Sequence, residues 1–140
     1  APADDQDLHR RDEGRSAVKI LIVGGGGREH ALAWKLKQDH PAAEILAAPG
    51  NPGIADLGRC INVKATDVDG LLALAERERV NVTVVGPEAP LSLGIVDRFR
   101  AAGRAIFGPT ADAARIETSK RFAKELMLKH GIPTASARTF

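Results

Sequence analysis

The chain has 140 residues, 44% of them hydrophobic and 27% charged, with a formal net charge of +2, the balance of a globular domain large enough for a real core. No apolar stretch approaches the roughly 20 residues that span a bilayer, which argues against a membrane role. Four Phe, one Trp and no Tyr, with no dense Lys/Arg cluster, argue against a nucleic-acid partner. The single cysteine, Cys60, allows no intrachain disulfide and fits a reducing cytoplasm; on an apolar strand it reads as a small core residue.

The charge is unevenly spread. Residues 1–15 hold five acidic groups (Asp4, Asp5, Asp7, Asp12, Glu13) and three arginines (Arg10, Arg11, Arg15), leaving 17 basic against 13 acidic residues in the remainder. That modest excess suits a small anionic ligand. Residues 1–16 show no apolar periodicity and lack the apolar core of a secretory signal, so they read as a disordered extension or expression remnant.

From there strand and helix alternate. Lys19–Val23 predicts a first strand, followed by four glycines, Gly24–Gly27, and a helix over Arg28–Gln38 with Leu32 and Leu36 on one face and Trp34 beside them. Glu44–Ala48 predicts a second strand, closed by the turn-rich Pro49-Gly50-Asn51-Pro52-Gly53. Cys60–Val63 is a short third strand, and a helix over Val68–Arg79 follows, capped by Asp67. Val82–Val85 is a β-branched fourth strand that stops at Gly86-Pro87-Glu88. A helix over Leu91–Ala102, with Leu91, Ile95 and Phe99 in helical register, leads to a fifth strand, Arg104–Phe107, ending at Gly108-Pro109-Thr110. Two short helices, Ala111–Glu117 and Ser119–Lys129, close at Gly131. Pro133–Phe140 reads as the start of another extended segment, which suggests a piece cut at a domain boundary.

Five short apolar strands separated by helices predict an α/β fold: an open parallel sheet of about five strands with helices on both faces. In such sheets ligands sit beyond the carboxyl ends of the strands. The loops Gly24–Gly27, Pro49–Gly53, Gly86–Pro90 and Gly108–Thr110 should therefore line one edge.

The glycine loop supplies the chemistry. Glycines let backbone approach a ligand, and the first N–H groups of a helix are unpaired donors with a favourable dipole. Arg28 beside them can fork to a phosphate; an arginine at a helix start is otherwise disfavoured. Glu29 alone reads as a solvated helix-start carboxylate, and His30 as a structural hydrogen-bonding residue. A dinucleotide fingerprint fits only in part: Gly24 and Gly26 match its first two glycines, but the third falls on Glu29. Ala47 and Ala48 stand where an acidic ribose partner belongs. No Gly-Lys-Ser/Thr makes a P-loop. Glu88 at the ligand edge can accept from ribose hydroxyls or an amine.

Taken in order, GGGGREHALAWKL, APGNPG, VVGPEAPLSLGIVD, FGPT and ETSKRFAKELMLKHGIPTA resemble the amino-terminal domain of the phosphoribosylamine–glycine ligase family, of the ATP-grasp superfamily. The resemblance covers about residues 18–140 and implies a Rossmann-like domain ahead of an ATP-grasp unit. It implies an enzyme of purine biosynthesis that joins glycine to 5-phosphoribosylamine through a glycyl phosphate, with ATP and Mg2+ (or Mn2+) as cofactors. By this resemblance Gly25, Gly26, Gly27 and Arg28 contact the phosphate, and Glu29, Asn51, Gly86, Pro87 and Glu88 contact the ribose or amine. Lys120 touches ATP phosphates from the domain edge. The implied division is an extension at 1–16, a substrate-binding domain at 17–117, and a connector at 118–140 opening a truncated ATP-grasp domain. The catalytic and metal-binding residues would lie beyond residue 140, in domains that act as partners of this one, and the piece alone would be inactive. A stand-alone dinucleotide- or nucleotide-binding module and a non-catalytic docking domain are the alternative readings.

Overall fold

The structure, a computed structural model, describes residues 17–136; the expected extension at 1–16 and the last four residues of the expected final strand lie outside them. Five strands form one sheet: β1 (Lys19–Gly24), β2 (Glu44–Pro49), β3 (Arg59–Cys60), β4 (Val82–Val85) and β5 (Ile106–Phe107). Their order is β3-β2-β1-β4-β5 and every pairing is parallel. Among the described residues five helices join them, α1 (Gly27–Asp39), α2 (Pro52–Ala55), α3 (Val68–Arg77), α4 (Glu88–Ser92) and α5 (Ile95–Ala101), and two follow β5, α6 (Ala111–Thr118) and α7 (Lys120–Lys129).

Alternation along the strands builds two cores. Leu21 and Val23 of β1 and Leu46 and Ala48 of β2 pack with Leu71 and Leu74 of α3 and with Ile95, Val96 and Phe99 of α5. On the opposite face Ile20, Ile22, Ile45 and Ala47 pack against Ala33 of α1 and Ile54 of α2. Phe99, Leu21 and Ile22 are fully buried, each burial worth about 1.5–3 kcal/mol.

The second face is only half covered. Val84 pairs in register with Phe107, which places both on the α1 side of the sheet; Val82 and Val84 are half-buried there and Phe107 is 72% exposed. Among the described residues, an apolar strip along β4 and β5 stays open.

Several expectations are corrected. The helix expected over Leu91–Ala102 is two helices, because Gly94 takes a left-handed φ of +81° and starts α5 afresh. Within α1 the buried positions are Glu29 and Ala33, while Leu32 and Trp34 are exposed. The third strand is shorter than Cys60–Val63: after Ile61 donates to the Ala47 carbonyl at 2.8 Å, Val63 N–H turns back to the Ile61 carbonyl at 2.7 Å and the chain leaves the sheet. Cys60 is exposed on this edge strand instead of buried in the core. The turn at Pro49–Gly53 continues into α2. Asp67 caps α3 as expected, accepting from Gly70 N–H at 3.0 Å.

Candidate functional site

The chain runs from β1 outward to β2 and β3, then returns past β1 to β4, so the strand order reverses between β1 and β4. A crevice opens at the carboxyl ends of strands at such a reversal. There β1 ends at Gly24 and α1 begins at Gly27. The thirteen-residue helix aims its unpaired N–H groups and positive dipole end at the crevice.

Glu29 is the unexpected member. It reads from sequence as a solvated helix-start carboxylate, yet it is only 4% exposed. Its Oε2 accepts from Gly26 N–H at 2.6 Å, the backward half of a capping box. Its Oε1 is buried without a hydrogen-bond partner among the described residues. That oxygen lies against Gly86 at the end of β4, where a Cβ would overlap it. Gly86 is thus the space that admits the carboxylate between the two strand ends. A buried carboxylate oxygen with no donor is costly, which makes it the strongest pointer to a missing hydrogen-bond donor. The signal in the sequence was Glu three residues after an N-cap glycine; its burial was not legible there.

Arg28 and Glu88 face each other over the crevice. Arg28 Nη2 donates to Glu88 Oε1 at 3.0 Å, with side chains 66% and 40% exposed. The hydrogen bond from Arg28 to Glu88, followed by the Glu88 charge, raises the guanidinium further above its already high value. Glu88 is held below the ordinary carboxylate range, first by its own backbone N–H and then by Arg28. Both are ionised near neutral pH.

Asn51, which links β2 to α2, has its side chain engaged on both ends. Oδ1 accepts from Ile54 N–H at 2.9 Å and caps α2. Nδ2 donates to the carbonyls of Gly25 at 2.9 Å and Gly26 at 3.4 Å. A second tie runs from Gly50 N–H to the Gly24 carbonyl at 3.0 Å. The two loops are so close that a Cβ at Gly25 would overlap the Gly50 carbonyl. With those carbonyls turned toward Asn51, the glycine loop keeps one shape. His30 packs its ring against Gly53 of α2, where any Cβ would clash, in keeping with a structural part.

Nine of the expected residues therefore share one edge: Gly25, Gly26, Gly27, Arg28 and Glu29 where β1 passes into α1, Asn51 after β2, and Gly86, Pro87 and Glu88 where β4 passes into α4. Lys120 is the exposed first residue of α7; among the described residues no hydrogen bond or ion pair joins it to the nine. No group of three or more His, Cys, Asp and Glu side chains that could hold a metal ion occurs among the described residues.

The family described as phosphoribosylglycinamide synthetase, N domain, matches residues 18–117. The chain is 62% identical over 120 residues to the phosphoribosylamine–glycine ligase of Xanthomonas campestris pv. campestris, covering 84% of this chain and 28% of that one. It is 50% identical over 126 residues to the human trifunctional purine biosynthetic protein adenosine-3, covering 89% of this chain and 12% of that one. A solved phosphoribosylamine–glycine ligase from Thermotoga maritima is similar at a TM-score of 0.61 and 28% identity, over 85% of this chain and 26% of that one. The biotin carboxylase domain of a single-chain bacterial carboxylase shares the fold, with a TM-score of 0.64 at 16% identity, over 84% of this chain and 30% of that one. The chain thus spans about 28% of the length of the ligases it matches.

Proposed function

The chain belongs to the phosphoribosylglycinamide synthetase N-domain family, and from that we propose that it is the substrate-holding amino-terminal part of an ATP-dependent ligase of purine biosynthesis. The reaction joins glycine to 5-phosphoribosylamine through a glycyl phosphate, in the cytoplasm. The observation that carries the reading is the buried Oε1 of Glu29 at the amino end of α1, without a hydrogen-bond partner among the described residues, where a ligand could supply both an anion for the helix and a donor for the carboxylate.

In this reading the phosphate meets the N–H groups of Gly25, Gly26 and Gly27 and the fork of Arg28. Glu29 and Glu88 accept hydrogen bonds from the sugar hydroxyls or the amine, beside Gly86 and Pro87. Asn51 serves chiefly by holding the glycine loop, and its contact with ligand is secondary. Such fixed donors and acceptors orient the amine for attack on an acyl phosphate brought by another part of the enzyme.

ATP and a divalent cation would supply the activation of the glycine carboxylate when bound. In this reading the cation and the catalytic groups come from other parts of such a ligase, since the chain spans about 28% of the length of the ligases it matches. Lys120, at the start of α7, contacts nucleotide phosphate from the domain edge. In this reading residues 17–117 are the substrate domain and the segment from 118 onward a connector, and the open apolar strip at Val82, Val84 and Phe107 fits packing by another part of such a ligase.

An amide NMR titration of this chain with glycinamide ribonucleotide tests the reading, with NAD and ATP as separate controls. Shifts at Gly24–Glu29 and Gly86–Glu88 with the ribonucleotide alone are expected, and Arg28→Ala should weaken the affinity roughly tenfold. Saturable shifts with NAD instead would overturn it in favour of a dinucleotide module.

A further inference from the structure

The ion pair between Arg28 and Glu88 bridges the crevice at the point where the ligand's phosphate would enter. Arg28 stands at the second position of α1, and Glu88 is the first residue of α4. The two are 60 residues apart in sequence and 3.0 Å apart in space. Both side chains are accessible, and Glu88 also keeps its own backbone N–H as a donor, so it can give up Arg28 without losing every partner. Glu88 thus already does to Arg28 what a phosphate oxygen would do.

We propose that Glu88 is a specificity-determining residue that competes with the ligand's phosphate for Arg28, so that the site rejects bare anions and admits phosphorylated ligands that also carry hydroxyl or amine donors. The inference rests on the reading that phosphate meets Arg28.

The electrostatics follow from the count of groups at the rim. Glu29 and Glu88 supply two carboxylates against one guanidinium, with Oε1 of Glu29 unpartnered. A bare anion that takes Arg28 exchanges one ion pair for another, and it leaves Glu88 without its partner next to a new negative charge. It also brings nothing for Glu29. A sugar phosphate with free hydroxyls, or an amino sugar phosphate, releases Glu88 from Arg28 and then satisfies it. The exchange converts an internal contact into a two-point recognition, in which the acidic half is available only after the basic half is engaged. The charge of Glu117 of α6 acts on Arg28 in the same direction as that of Glu88.

The test is calorimetric and NMR titration of this chain, Glu88→Gln, Glu88→Ala and Arg28→Ala with orthophosphate and with ribose 5-phosphate, at one fixed ionic strength. Glu88 is half-exposed, so circular dichroism should show both substitutions folded, and agreement between them guards against a local artefact. The wild-type chain should prefer ribose 5-phosphate. Glu88→Gln should bind orthophosphate about two- to fivefold more tightly, the range set by an exposed ion pair, and the preference for ribose 5-phosphate should narrow. Combined with Arg28→Ala, the gain should vanish. Unchanged or weaker orthophosphate binding in Glu88→Gln would overturn the proposal and make Glu88 a group that merely orients Arg28. A gain that survives in the Arg28→Ala background would overturn it too, as general charge repulsion. Silence of the Gly25–Arg28 amides toward both anions, in every variant, would remove the phosphate site itself and the proposal with it.

Discussion

Replacing Asn51 separates two jobs that the side chain performs at once. Oδ1 caps α2 through Ile54 N–H, and Nδ2 ties the Gly25 carbonyl, both at 2.9 Å. Serine is as good a cap as asparagine but is too short to reach Gly25, so Asn51→Ser removes only the tie. An intramolecular hydrogen bond of this kind contributes about 0.5–1.5 kcal/mol. Asn51→Ala removes the cap as well, a further loss of about 0.5–2 kcal/mol, for a total of about 1–3.5 kcal/mol. Urea unfolding followed by circular dichroism gives both values, and thermal melts should fall by roughly 4 °C per kcal/mol for a domain of this size. The tie also keeps the glycine loop in one conformation. Amide resonances of Gly25–Arg28 should therefore shift or broaden in Asn51→Ser, and anion binding should weaken. A serine variant with wild-type stability and wild-type amide shifts would refute the tie. Equal losses in the serine and alanine variants would refute the cap.

Three further outcomes follow from the geometry. Gly86→Ala puts a Cβ onto Glu29 Oε1 and should destabilise the fold by about 1–3 kcal/mol, whereas Gly27→Ala, with nothing within 4 Å of its added carbon, should be neutral or slightly stabilising; equal effects in denaturant melts would contradict this packing. Phe99→Ala empties a fully buried position in the larger core and should cost about 3–5 kcal/mol, read as a drop in urea midpoint at constant m-value. Glu78 is held below the ordinary carboxylate range, first by the hydrogen bond from Arg59 at 2.5 Å. A depressed carboxyl stabilises the fold above its ordinary value, and that contribution is lost as pH falls through the lower folded value. Carboxyl NMR should show Glu78 titrating below an ordinary exposed glutamate, and Arg59→Gln should return it upward; an unmoved midpoint would exclude the pair as the cause.

The three inner strands were legible because their signals are local, whereas the edge strands β3 (Arg59–Cys60) and β5 (Ile106–Phe107) are shorter than the expected Cys60–Val63 and Arg104–Phe107. Val82–Val85 is β-branched throughout and occupies the bounds expected of it, and β1 and β2 differ from expectation by one residue each. The parallel sheet and the clustering of loops at one edge follow from strand–helix alternation, which permits little else. Asp67 could be recognised as a cap because a cap needs only its own next three residues.

What the tertiary structure decided involves residues distant in the chain. The burial of Glu29 depends on Gly86, the engagement of Arg28 on Glu88, and the hold on the glycine loop on Asn51. Cys60 is exposed because β3 is an edge strand of two residues, and Phe107 is exposed because α5 covers the other face of β5, where Ile106 packs. By itself the sequence determined the order of elements and the types of group at the ligand edge. Which of those groups are paired, buried or left without a partner was decided only by folding, because a hydrogen bond or a desolvated charge depends on where strands β1, β2 and β4 set their ends, and no local pattern records that.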